Sequence, residues 1–187
     1  MISVLEAAET REAVFPISVE FYHEAGRLGL IGENVELLEG VLITKIAKSP
    51  FHEWLSEQLM ELLRSVCAGG FVVVKERPIT CQRSEPEPDL AVLVGPREKY
   101  RGKHPTTAEL VIEISLNTVQ RDRSKAAIYA GAGVKEYWLI EPEAGSTTLY
   151  QNPTADSYGR QTVFTADQEV RSEIFPAFVL HLGSLLA

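Results

Sequence analysis

The run DLAVLVG, Asp89–Gly95, constrains the fold more than any other stretch, because its apolar residues do not alternate with polar ones. A strand with one wet face alternates; a continuous apolar strand needs cover on both faces. A second strand follows in AELVIEISL, with Leu110, Ile112, Ile114 and Leu116 on one face and Glu109, Val111, Glu113 and Ser115 on the other. VQRDRSKAAIYAGAG then reads as a helix, with small alanines for close packing and glycines to stop it. VKEYWLIEP reads as a further strand, and the remainder, TTLYQ through FVLHLGSLL, as β-rich. This order predicts an α/β (α+β) fold: a mixed sheet flanked by helices, with a β-rich C-terminal part.

Upstream, SVEFYHEAGRLGL has helical apolar spacing, and VELLEGVLITKIA places two apolar runs around Glu39-Gly40, the signature of a hairpin turn. SPFHEWLSEQLMELLRSV is the clearest helix, with Ser49 as N-cap, Pro50 as first helical residue, and a stripe of Leu55, Leu59, Leu62 and Val66. GGFVVVKERPITCQ reads as one or two strands broken at Pro78.

With 187 residues, the chain suits one domain over 1–187, large enough for a full core, with 1–14 a flexible or loosely packed start. Cys67 and Cys81 form no CxxC pair and read as reduced thiols. The N-terminus lacks a basic then apolar leader and no apolar run reaches membrane-span length, so a cytoplasmic protein without membrane contact is expected. The net charge of −8 repels nucleic acid at long range. Contact with it requires a local basic surface, and the candidates are Arg97, Arg101 and Lys103 in REKYRGKH and Arg121 in QRDRSK. Such runs are also ordinary solvated faces.

Three chemically useful residues fall on consecutive elements: Asp89 opens one strand, Glu113 lies within the next, and Lys125 sits on the helix after it. Two carboxylates on adjacent strands suit a hard divalent cation such as Mg²⁺ or Mn²⁺, with the Ile114 carbonyl as a third ligand. A lysine beside that ion can orient an attacking water and steady charge developing on a phosphate. Each residue also has an ordinary account: turn chemistry for Asp89, a solvent-facing strand position for Glu113, a surface position for Lys125.

Taken as a set, SEPEPDLAVL, ELVIEIS and KAAIYAGAGVKEYWLIEP resemble the "putative restriction endonuclease" family abundant in cyanobacteria and some other bacteria, within the PD-(D/E)XK nuclease superfamily. FYHEAGRLGLIGENVELLEGVLI and SPFHEWLSEQL extend the resemblance, which covers roughly Phe15 to Tyr150. It implies a restriction-endonuclease-like fold and a Mg²⁺- or Mn²⁺-dependent DNA endonuclease, with a homodimer suited to cutting two strands. Pro88-Asp89 stands where the superfamily's PD stands and Glu113 where its acidic residue stands. The superfamily's lysine position holds Ser115, and the resemblance implies a lysine moved to the next helix, at Lys125. Tyr129, four residues on, shares its helix face. The resemblance further implies Glu36 as an auxiliary ligand or base, and His52 as a neighbour of the site. The chain departs from the family at SLNT, Ser115–Thr118, where a Ser/Pro-rich turn is usual; Asn117 and Thr118 can still cap the helix.

Two rivals remain open. A non-catalytic binding module on the same fold is compatible with the acidic net charge. A paired-carboxylate glycosidase needs stacking aromatics near Asp89, and none cluster there.

Overall fold

The computed structural model describes residues 7–67 and 69–187; the first part of the expected loose start, residues 1–6, lies outside them. Helix α1 (Ala8–Glu12) buries none of its residues. Helix α2 (Val19–Arg27) begins where the Ser18 hydroxyl accepts the Phe21 N–H. Strands β1 (Val35–Leu38) and β2 (Val41–Thr44) pair as the expected hairpin. Its turn residues Glu39 and Gly40 have φ of 51° and 83°, the left-handed pair that matches the twist of two joined strands.

Helix α3 (Pro50–Val66) starts as its sequence dictates, with the Ser49 hydroxyl accepting the His52 N–H and Pro50 in the first turn. Its apolar stripe ends on Leu63, which is fully buried, whereas Leu62 and Val66 are only partly covered. Steps of four from Leu55 through Leu59 keep one narrow face toward the sheet.

The main sheet has six strands in the order β3 (Phe71–Lys75), β4 (Leu90–Val94), β5 (Leu110–Ile114), β6 (Glu136–Glu141), β7 (Ser146–Pro153) and β8 (Tyr158–Thr165). All pairs are antiparallel except β5 with β6, which helix α4 (Val119–Gly131) joins as a parallel crossover. The segment around Pro78 is not a second strand. β3 stops at Lys75, Glu76 turns through φ 51°, and residues 79–86 close on themselves through Ile79 N–H to Pro86 O at 3.0 Å.

The unbroken apolar character of β4, and of β5 up to Glu113, follows from helices on both faces. Leu90, Val92, Leu110, Ile112 and Ile114 share one core with Leu55, Leu59 and Leu63 of α3. Ala91, Leu93 and Val111 share the other with Tyr129 of α4 and with Tyr137 and Leu139 of β6. Trp138 and Tyr137 are fully buried, on opposite faces.

Past β8 the chain forms a small pair of β9 (Glu169–Arg171) with β10 (Val179–His181), then α5 (Leu182–Leu186). This part is tied to the sheet through the buried Glu136 carboxylate. That carboxylate accepts from Trp138 Nε1, Gln151 Nε2, Ser172 Oγ and the Glu173 N–H at 3.1, 2.9, 2.8 and 2.7 Å.

Candidate active site

The acidic segment before β4 is a row of buried or half-buried carboxylates, each matched to its own donors. Glu85 accepts from His23 at 2.8 Å and Thr80 at 2.6 Å, and Glu87 pairs with Lys45 at 2.8 Å. Asp89 is 4% exposed and occupies the first turn of chain before β4, beside the end of β5. Its Oδ2 accepts the Ile114 N–H at 2.7 Å and lies 3.1 Å from His52 Nε2, while Oδ1 is held by Lys48 Nζ at 2.7 Å.

Glu113 faces inward, not toward solvent, and is 4% exposed. Its Oε1 accepts from Lys125 at 3.0 Å and from the Tyr129 hydroxyl at 2.7 Å. Its Oε2 has one long bond, 3.4 Å, from the Asp89 N–H. Each carboxylate therefore has one saturated oxygen, Asp89 Oδ2 and Glu113 Oε1, and one less committed.

Lys125 is buried, not a surface lysine, because the β5–α4–β6 crossover lays its helix face against Glu113. Its ammonium lies among three carboxylates, at 3.0 Å from Glu113, 3.3 Å from Glu36 and 3.6 Å from Asp122. Glu36 comes from the opposite side, on β1. A cavity of about 260 Å³ opens between these groups, with Glu36, His52, Asp89, Glu113, Ile114 and Lys125 among its walls.

The two central carboxylates are driven apart electrostatically. Burial pushes the Glu113 carboxyl up to about 8, aided by the charges of Asp89 and Asp122 and opposed by Lys125. Burial acts on Asp89 in the same sense, but the His52 hydrogen bond and the Lys48 charge outweigh it and hold its carboxyl below the usual range. For Lys125, burial is outweighed by Glu113, Glu36 and Asp122, and its ammonium is held above its ordinary range. Such divergence between neighbouring carboxyls is a feature of sites that handle protons or metals.

The family Uma2, described as "Putative restriction endonuclease", matches residues 28–183, most of the chain. The chain belongs to this family. A solved structure described as a putative nuclease belonging to DUF820, from Anabaena variabilis ATCC 29413, superposes with a TM-score of 0.70. At 20% identity the match covers 91% of this chain and 98% of that one, and it shows a shared fold. No curated protein matches the sequence. Among the described residues no helix is long and apolar enough to cross a membrane.

In this Uma2 chain the other sequence-predicted residues divide. Ser115 is buried, with its hydroxyl 3.4 Å from Thr118 and its N–H on Ile140 O at 2.8 Å. Arg121 lines the carboxylate cavity and donates to Thr44 O at 3.3 Å. Arg101 and Lys103 line a different cavity, with His23, Arg77 and His104, and Arg97 lines neither. Thr118 takes the N-cap position but does not cap with its side chain; its hydroxyl donates to Asp122 instead.

Sequence reasoning passed over Lys48 and Asp122. Asp122 had a signal, since it precedes Lys125 by three residues and so shares its helix face. Lys48 had none beyond its place two residues before the α3 helix start.

Among the described residues no group of three or more His, Cys, Asp or Glu is spaced as a metal cage. Mg²⁺ asks for less: it keeps several waters and takes one or two carboxylates. The less committed oxygens, Asp89 Oδ1 and Glu113 Oε2, fit that demand, with hard oxygen donors on neighbouring chain segments.

Proposed function

We propose that this chain is a Mg²⁺- or Mn²⁺-dependent phosphodiester hydrolase, a DNA endonuclease of the PD-(D/E)XK type, acting in the cytoplasm as a single-domain protein. The observation that carries this reading is the convergence of Asp89, Glu113 and Lys125 on one cavity. Charge supports it. Among the described residues the lining holds six carboxyl groups against four lysine or arginine cations; a divalent ion would draw the raised Glu113 into its charged form and neutralise the resulting excess of two. Without that neutralisation a phosphate would meet net repulsion.

Asp89, Glu113 and the Ile114 carbonyl would hold the ion, and a bound ion would supply a water of lowered pKa and Lewis-acid polarisation of the phosphate. Lys125 orients the attacking water and offsets charge growing on the phosphate oxygens. Tyr129 fixes Glu113, and His52 fixes Asp89, each through its hydrogen bond. Glu36 serves as auxiliary ligand or base. Arg121, at the cavity wall, meets the backbone nearest the cut, while Arg97, Arg101 and Lys103 contact nucleic acid farther along. A homodimer supplies the second cut of a duplex.

Among the described residues no Phe, Tyr or Trp side chain lines the cavity, which disfavours a sugar as substrate. The test is incubation of supercoiled plasmid with the purified protein and Mg²⁺, beside Asp89→Asn and Glu113→Gln. Nicking or linearisation by the parent alone is the expected result. Binding of DNA without cleavage across Mg²⁺ and Mn²⁺ concentrations would instead assign the fold to a non-catalytic module.

A further inference from the structure

We propose that Lys48 is the exchangeable cation of this site: its ammonium holds the Asp89 oxygen that a divalent ion takes, and ion binding releases it to a substrate phosphate. The inference rests on the metal-nuclease reading and adds a residue to it.

The two oxygens of Asp89 are not equivalent. Oδ2 is fixed by the Ile114 N–H at 2.7 Å and by His52 at 3.1 Å, both from the rigid elements that frame the sheet. Oδ1 has Lys48 Nζ, at 2.7 Å. Because Oδ2 already has two partners, a divalent ion held by both Asp89 and Glu113 would have to share Oδ1 with the ammonium or displace it. Two cations on one carboxylate oxygen repel, so ion and ammonium compete.

Lys48 is placed to yield. It lies in the irregular connection 45–49 between β2 and α3, and its side chain is 27% exposed. The same ammonium already touches a second carboxylate, Glu76 Oε1, at 2.8 Å, and Glu76 is 43% exposed and lines the same cavity. Movement toward Glu76 therefore keeps the charge paired. Lys125 is the contrast: 4% exposed, on a helix, and held by three carboxylates. Of the lysines that line the cavity, Lys125 is thus the fixed one and Lys48 the one placed to swing.

Once displaced, a long flexible side chain with three donors stands where a substrate phosphate must enter, and a compact ammonium binds phosphate as a point charge. Ion binding and substrate binding are then coupled through Lys48, and the coupling is reciprocal.

The experiment is calorimetric titration of Mn²⁺ into the parent, Lys48→Met, Lys48→Arg and Asp89→Asn without nucleic acid. Fluorescence anisotropy with a cleavage-resistant phosphorothioate duplex in Mn²⁺ follows. Lys48→Met should bind Mn²⁺ about tenfold tighter, since a competing charge is gone, and the duplex about tenfold more weakly. Lys48→Arg keeps the charge and should stay near the parent in both. Lys48→Gln repeats the test if the Met variant melts early. Unchanged or weaker Mn²⁺ binding by Lys48→Met, while the parent binds and Asp89→Asn does not, overturns the exchange and leaves the metal site standing. Tighter Mn²⁺ binding with unchanged duplex affinity overturns the release to phosphate. Absence of Mn²⁺ binding in the parent overturns the metal-nuclease reading itself and this inference with it.

Discussion

Lys125 places its ammonium 3.0 Å from Glu113 Oε1 although the two residues lie on different elements, one on α4 and the other on β5. Removing that ammonium leaves Glu113, Glu36 and Asp122 buried together without their shared cation. Lys125→Ala should therefore lose about 3 kcal/mol of stability and, at a temperature where it remains folded, about a hundredfold in cleavage rate. Mn²⁺ titration should still detect the site, because Lys125 is not a ligand. Cleavage at the parent rate by Lys125→Ala, beside a dead Glu113→Gln, removes Lys125 from the mechanism.

Glu113 predicts an inverted pH response of the ion-free protein. Its carboxyl is raised from 4.5 to about 8 in the fold, so between those values the unfolded chain releases a proton that the folded chain keeps. Stability must then fall as pH rises through that window. Asp89 acts oppositely and lower: its depressed carboxyl adds stability above its unfolded value of 3.8, lost as pH falls below it. Urea unfolding of the ion-free protein from about pH 5 to about pH 8 should show the decline, and Glu113→Gln should flatten it. A parent curve with the same slope as Glu113→Gln contradicts the assignment.

Glu136 begins β6, three residues before Leu139, the partner of Glu113 across the parallel pair. Its four donors belong to β6, β7 and the segment after β9. Glu136→Ala strands those donors in the interior and should cost about 2–4 kcal/mol in urea unfolding. Mn²⁺ affinity should stay at the parent level, since the carboxylate pair lies at the other end of the strands. A parallel loss of Mn²⁺ affinity would show that the two ends are coupled.

Gly40 carries a different kind of constraint. At φ 83° a side chain is strained, and an added Cβ would stand 2.5 Å from Pro16 Cβ and 2.9 Å from Pro16 Cα. Gly40→Ala should destabilise by about 1–3 kcal/mol and, by shifting the hairpin that carries Glu36, weaken the contact of Glu36 with Lys125. Urea unfolding measures the first effect, and a stability equal to the parent's would contradict the turn geometry.

Much of this was legible in the chain because local chemistry and tertiary demand agree. Ser49-Pro50 starts a helix, Glu39-Gly40 turns a hairpin, and the unbroken apolar run after Asp89 does become a strand covered on both faces. Asp89, Glu113 and Lys125 were legible as a set through the resemblance, and the crossover supplies their proximity. What escaped depends on through-space contacts that no period encodes. Lys48 reaches Asp89 across 41 positions of sequence, and Arg101 and Lys103 look equivalent to Arg121 until the fold sends them to another cavity. Of the one or two strands that Pro78 allowed, the single strand β3 forms, and the chain leaves the sheet at Glu76, two residues before the proline.

The crossover from β5 into α4 makes loop length, rather than loop composition, the quantity under constraint. Four residues, Ser115–Thr118, separate the strand that carries Glu113 from the helix that carries Lys125. An α-helix turns by about 100° per residue, so a residue added or lost there and taken up by the helix would swing the lysine away from the carboxylates. A substitution that keeps the count leaves the angle alone. Variation in the wording of this turn is therefore more tolerable than an insertion, and Lys125 behaves like a hand on a dial set by the number of steps between strand and helix.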